Sequence, residues 1–333
     1  MRRLLGMVVV VAVFWSAWWL FGAHWAEAGL RLWLAERRTE GWLAEAGQVT
    51  VRGYPLRFEM TIEGLDLADP ETGLSWSAPA FRLDAFAWNP TDVTAIWPAR
   101  QVIATPEERI EITASGMEAA LALLPDAALT LSHGELALAE AALASTAGWQ
   151  SGLADARLHA ARTEGKENHL DLVFEAARLE PSAPLLALLD PGGRLPRRVD
   201  LLALDATMGF DAPWDRYAIE RRRPQPTALD LRRLKASWGQ LDLEAAGDLT
   251  IDAEGTPTGE IQVRAVNWRE MIEIGVASGL IPEEIAGSLE SGLELLAAAA
   301  GNPNTLELPL GFRRGFVTLG PIPLGPAPKL WIR

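Results

Sequence analysis

The chain has 333 residues, with 44 acidic against 30 basic side chains, a net charge of −14, four histidines and no cysteine. That length supports a substantial core without covalent staples, and the missing thiols exclude disulfide frameworks, thiolate zinc sites, iron–sulfur clusters and cysteine nucleophiles. An acidic body is expected to have no nucleic-acid partner, because neutralising phosphates requires a basic face.

The opening "MRRLLGMVVVVAVFWSAWWLFGA" carries no charge over residues 4–23. A helix of that length, at about 1.5 Å per residue, covers the roughly 30 Å of bilayer hydrocarbon, so residues 1–23 are expected to be a short tip and a transmembrane anchor. The competing reading is a cleaved signal peptide, whose apolar part usually runs about 7–15 residues, with Ala26 and Ala28 as a weak cleavage pattern. The tryptophans favour a retained anchor, since this residue collects at membrane–water interfaces; Trp18, Trp19 and Trp25 are the expected membrane-interface residues. Flanking charge does not fix orientation, with Arg2 and Arg3 on one side and Arg31, Arg37 and Arg38 on the other. Likeness to an export signal does: the basic tip stays in the cytoplasm and the bulk of the chain is exported.

Residues 24–48 read as a membrane-proximal helical segment, with Leu30 and Leu34 four apart and Trp42 and Leu43 resuming the apolar face beyond Gly41. From Val49 the period becomes two, and residues 49–333 are expected to form an exported β-rich domain. "VTVRGYPLRFEMTIEGLDL" places Leu56, Phe58, Met60 and Ile62 on one face, and Leu65 and Leu67 start a new run after Gly64. "ADPETG" reads as a turn. The same alternation marks Ile110 and Ile112, Leu129 and Leu131, Leu136 and Leu138, and Leu170, Leu172 and Phe174. It continues through Leu202, Leu204, Ala206, Met208 and Phe210, and then the pairs in "LDLEAAGDLTIDAEGTPTGEIQV", where Gly247, Gly255 and Gly259 mark turns or bends. Frequent turn signals without alternating long helices predict a mainly β fold with some α: an elongated, curved antiparallel sheet of hairpins.

Two helical interruptions are expected. "GMEAALALLPD" reads as a short helix stopped by Pro125. A helical hairpin spans about residues 267–300, opened by Asn267 and Glu270 in the form of a capping box and resumed at Pro282. Its second helix puts Ile285, Leu289, Leu293 and Leu296 on one stripe, which predicts packing against the sheet.

The stretch "SWGQLDLEAAGDLTIDAEGTPTGEIQVRAVNWREM", the helical hairpin and the ending "GFVTLGPIPLGPAP" together resemble DUF2125, an uncharacterised bacterial family. "VTVRGYPLRFEM" and "DPETGLSWSAP" extend the likeness over nearly the whole exported region. The chain is similar, more distantly, to AsmA-like envelope proteins, in which an anchor precedes elongated sheets forming a lipid-binding groove. The resemblance implies single-pass residence in a bacterial inner membrane with the bulk in the periplasm, and it supplies no catalytic residues.

No catalytic motif emerges from the residues themselves. His24, His133, His159 and His169 form no metal-ligand spacing; "GWQSG" and "GVASG" lack the nucleophile-elbow pattern; no glycine loop cradles phosphate. No cofactor or metal is therefore expected. Arg221, Arg222 and Arg223, and Arg313 and Arg314, read as solvated loops, with phosphate headgroups as the alternative. Two functions stay open: a lipid-handling module whose apolar β groove holds a phospholipid or other envelope lipid, and a non-catalytic scaffold for envelope proteins. An envelope hydrolase is a weaker third. Leu202, Leu204, Met208 and Phe210 are the groove candidates, although alternation serves a buried core equally well.

Overall fold

The computed structural model describes residues 1–220, 222–279, 281, 283–299, 301–320 and 322–332. These residues are mostly antiparallel sheet, with a long N-terminal helix and a C-terminal helical pair. They form two compact units: unit 1 is Met1–Leu123 with Leu136–Gly148, and unit 2 is Leu124–Glu135 with Trp149–Arg333.

Unit 1 begins with α1 (Arg2–Thr39), a single helix of 38 residues. It is long and apolar enough to cross a membrane, and little of its most apolar stretch is covered by protein. The strands follow as β1 (Leu43–Glu45), β2 (Val49–Arg52), β3 (Arg57–Ala68), β4 (Ser75–Phe86), β5 (Asn89–Ile96), β6 (Arg100–Ala104), β7 (Arg109–Thr113), β8 (Gly116–Leu123) and most of β9 (Leu131–Ser145). The β3–β4 hairpin is the spine. One edge of β3 is shared by β1 and β2, and the outer edge of β4 by β5 and β6.

Residue chemistry explains the spine. Asp69 closes its turn by accepting hydrogen bonds from the Glu71 amide at 2.9 Å and the Thr72 hydroxyl at 2.8 Å. These donors hold its carboxyl below the usual range. Gly64 adopts φ +59°, so the apolar alternation passes from Met60 and Ile62 to Leu65 and Leu67 while the register with β4 continues. All four then join one core, onto which α1 lays Leu30, Trp33 and Leu34.

Unit 2 is a meander. β10 (Gln150–Arg162), β11 (His169–Leu179), β12 (Val199–Phe210), β13 (Pro226–Trp238), β14 (Leu241–Ile251), β15 (Pro257–Val266), β16 (Thr305–Arg313), β17 (Phe316–Leu319) and β18 (Ile322–Pro326) each pair antiparallel with the next. Helices α2 (Ala183–Leu189) and α3 (Arg216–Glu220) interrupt the early strands, and α4 (Trp268–Ala277) and α5 (Glu283–Ala299) separate β15 from β16.

Several sequence expectations require correction. Residues 116–123 are strand β8, not a helix: pairing with β5 outweighs the helical preference of its alanines. The helix after the anchor stops at Thr39, and Leu43 belongs to strand β1, paired with β3. Leu129 has φ +53° and lies in a turn, while Leu131, Leu136 and Leu138 share the single strand β9. Asn267 precedes α4 without capping it; it takes the left-handed conformation at the strand-to-helix corner, and its side-chain amide donates to the Gln240 carbonyl at 2.6 Å. In α5, Leu293 and Ala297 are buried and Leu289 packs beside them, whereas Leu296 is exposed, because the packed face follows i, i+4 steps. Pro282 and the side chain of Ile285 lie outside what is described.

Candidate functional site

The groove candidates sit on one face of β12, and the register extends that face across neighbouring strands. Leu202 lies between Ala176 and Ala236, Leu204 between Phe174 and Leu234, Ala206 between Leu172 and Leu231, and Met208 between Leu170 and Leu229. Beyond β11 the rows reach β10, where Leu158 stands opposite Phe174 and Ala160 opposite Leu172. On the far side of β13 they continue through Leu249, Ala245 and Leu243, then Ile261, Val263 and Ala265, and then Leu310, Leu308 and Leu306. Alternation in the consecutive strands β10–β16 therefore aligns into one apolar face. Leu202, Leu204 and Met208 are half-buried. Phe210 is buried at the end of the row, with its ring edge-on to Trp214 at 5.5 Å.

Two local devices keep the face continuous. In β13 an extra residue is inserted at Arg232, so Leu231 and Leu234, three apart, both reach the apolar side. Gly247 and Gly259 lie inside strands, not in the turn that Gly255 occupies, and they let adjacent backbones approach closely. A Cβ on Gly247 would stand 2.2 Å from the Glu260 carbonyl oxygen, and one on Gly259 would stand 2.1 Å from that of Asp248. With no side chains at these points β14 and β15 pair without a break, and Ala206, Leu231, Ala245, Leu249 and Ile261 form a core drawn wholly from strands β12–β15.

One end of the face is capped. Trp268 of α4 and Leu293 and Ala297 of α5 pack on Ala265 and Leu306, with Leu243 and Leu308 beside them. The Trp268 indole N–H donates to the Pro303 carbonyl at 3.1 Å, which fixes the helical pair to the chain entering β16. At the opposite end the C-terminal segment is tied down: the Leu330 amide donates to the Gly255 carbonyl at 2.8 Å, and Gln225 exchanges two hydrogen bonds with Ile332.

The opposite face of unit 2 is polar and ordered by charge. Arg232 donates to Asp205 at 2.5 Å, Asp171 at 3.2 Å and the Thr207 hydroxyl at 2.5 Å, and that hydroxyl donates to Asp171 at 2.5 Å. The Thr207 hydroxyl, and then Arg232, hold the Asp171 carboxyl below its usual 3.8. Further along, Glu244 meets Arg233, Lys235 and Arg264, and Arg264 meets Glu307 at 3.3 Å. Partly exposed pairs of this kind each contribute less than about 1 kcal/mol; their effect is to mark which face meets water. Sequence reading missed this cluster, whose signal was the adjacent Arg232 and Arg233 breaking the alternation.

Beside the end of β11 lies a cavity of about 260 Å³ lined by Asp126, Arg162, His169 and Trp214, among others. The ring of His169 packs against Gly209, and its Nδ1 lies 2.6 Å from the Glu167 carbonyl oxygen. His159 pairs with Glu135 at 3.3 Å. Among the described residues no group of three His, Cys, Asp or Glu side chains could hold a metal ion. Of the basic clusters, Arg222 pairs with Asp211, Arg314 sits in the β16–β17 turn with φ +53°, and Arg221 lies outside the described residues.

The expected membrane-interface tryptophans behave differently from one another. Trp25 is exposed. Trp18 is half exposed, and its N–H donates to the Ala87 carbonyl at 3.0 Å. Trp19 is buried on the protein itself: its ring stacks on Phe58 at 5.7 Å and its N–H donates to the Arg57 carbonyl at 2.7 Å.

No curated protein and no solved structure matches the chain. A family model does, over residues 19–328. The chain therefore belongs to the bacterial family described as "Uncharacterized protein conserved in bacteria (DUF2125)".

Proposed function

We propose that this protein is a non-catalytic lipid-handling module, held in the bacterial inner membrane by α1, with the strands of both units on the periplasmic side. The observation that carries the proposal is the apolar face of β10–β16: it continues from strand to strand, is capped by helices at one end, and leaves Leu202, Leu204 and Met208 only half-buried. An acyl chain laid along that row would complete their removal from water, worth about 25 cal/mol for each Å² covered. The polar opposite face keeps the lipid side unambiguous.

A scaffold for other envelope proteins is the second reading. It is favoured by the close approach of β14 and β15 at Gly247 and Gly259 and by the core that strands β12–β15 form among themselves. The two separate on lipid retention. Protein purified in mild detergent and then exchanged into fresh detergent is expected to keep about one lipid per chain, measured by mass analysis of an organic extract. Loss of all lipid on exchange removes the groove and leaves the scaffold.

A further inference from the structure

Trp15, Trp18 and Trp19 fasten α1 to two hairpin tips of unit 1, the β2–β3 turn and the β4–β5 turn. The Trp15 N–H donates to the Pro55 carbonyl at 2.8 Å, Ser16 and Tyr54 share a hydrogen bond of 2.8 Å, and Trp18 and Trp19 reach Ala87 and Arg57. The tips are joined to each other by the Ala87 amide, which donates to the Leu56 carbonyl at 2.9 Å. Gly22 permits the contact, since a Cβ there would stand 2.6 Å from the Phe58 ring.

This attachment falls inside the apolar stretch. From Leu4 to Trp15 the helix rises only about 17 Å, little more than half of the roughly 30 Å of hydrocarbon it must cross. The remaining thickness lies at the level of the tips. Those tips expose Tyr54 (56%), Leu56 (55%) and Trp88 (57%), with Phe86 stacked on Trp88 at 4.6 Å. Arg57, exposed, is paired across the strands with Phe86 and has its guanidinium 4.9 Å from that ring centre, and Arg52, also exposed, lies further along β2 opposite Glu59. Aromatic and aliphatic side chains beside arginines, whose apolar stems carry the guanidinium toward the membrane surface, match the meeting of acyl chains with phosphate headgroups.

We infer that the β2–β3 and β4–β5 tips are immersed in the leaflet on the body's side, where Tyr54, Leu56, Phe86 and Trp88 enter the acyl region and Arg52 and Arg57 meet anionic headgroups. The bilayer contact is then one helix plus two hairpin tips, and it holds unit 1 at a fixed height and rotation. The inference rests on α1 being the membrane anchor proposed above.

Because the chain has no cysteine, single spin labels report depth cleanly. Full-length protein carrying Leu56→Cys, Trp88→Cys, Val10→Cys or Glu71→Cys is labelled and reconstituted in phosphatidylethanolamine–phosphatidylglycerol vesicles. Collision rates with oxygen and with a water-soluble nickel chelate are then measured. Glu71, in the turn at the other end of the β3–β4 hairpin, is the aqueous reference, and Val10 is the reference for the span. Labels at Leu56 and Trp88 are expected to collide with the chelate several-fold less often than the label at Glu71. If Val10 is protected while Leu56 and Trp88 match Glu71, the tips are not immersed, although the anchor stands. If Leu56 and Trp88 are shielded from oxygen as well as from the chelate, a second copy or another protein covers them and the immersion is overturned. An unprotected Val10 overturns both the anchor and the inference.

Discussion

Replacing Gly247 by alanine tests whether the close approach of β14 and β15 shapes the apolar face. The added Cβ would lie 2.2 Å from the Glu260 carbonyl oxygen and 2.9 Å from the Ile261 Cα, both backbone atoms, so no side-chain rotation relieves the clash. The backbone also has φ +151° at this position. Conformational strain of about 1–3 kcal/mol and overpacking of similar size give an expected loss of about 2–6 kcal/mol. Gly292→Ala is the paired control. It lies in the middle of α5 with nothing within 4 Å of an added methyl group, and it should raise stability by about 0.4–1 kcal/mol. In thermal melts of the full chain in mild detergent, followed by far-UV circular dichroism, Gly247→Ala should lower Tm by roughly 4–12 °C. Gly292→Ala should leave Tm level or slightly higher. A Gly247→Ala protein that melts within a degree of the parent would refute the close approach of β14 and β15 at this position.

Leu293→Ala should cost about 2–5 kcal/mol by opening a cavity under α5, while Leu296→Ala should stay within about 0.5 kcal/mol, read as urea midpoints; equal effects would mean the packed face of α5 is misassigned. Trp19→Ala should lower the melting temperature in mild detergent, because it removes the ring stacked on Phe58 and the hydrogen bond to the Arg57 carbonyl; an unchanged melting temperature would separate α1 from the tips. For Asp171 the sign follows from its lowered carboxyl: the stability it contributes is fully present above its usual 3.8 and disappears as pH falls through the lower folded value. The advantage of the parent over Asp171→Asn in urea should therefore shrink as the pH falls below about 4, and a constant difference would show that the Thr207–Arg232 cluster does not hold the charge.

Much of the fold was legible because each strand needs one apolar side, which writes itself into the sequence at every second residue. Leu202, Leu204, Ala206 and Met208 were readable on that rule, and so was the Asp252 turn, where the carboxylate accepts the Glu254 and Thr256 amides. Residues 116–123 were not: alanine and glutamate favour helices locally, and only pairing with β5, well separated along the chain, imposes the strand. Arg232 and Arg233 looked like surface charge, since the meeting of Arg232 with Asp171 and Thr207 depends on the strand register. Trp19 fitted a membrane belt by composition, yet its ring was claimed by Phe58 on β3, a distant partner that no local pattern reveals. The groove itself is ambiguous in sequence for a physical reason, because a buried core and a lipid trough demand the same alternation.

The lipid groove is tested most directly by photo-crosslinking in living cells, with a photoreactive amino acid placed at Leu204 on the apolar face or at Val173 on the polar face, where Val173 is 46% exposed and faces away from the row. Lipid adducts on the intact protein are expected at Leu204, with few or none at Val173. Equal capture at the two positions, or none at Leu204 in a folded and abundant protein, would contradict the groove.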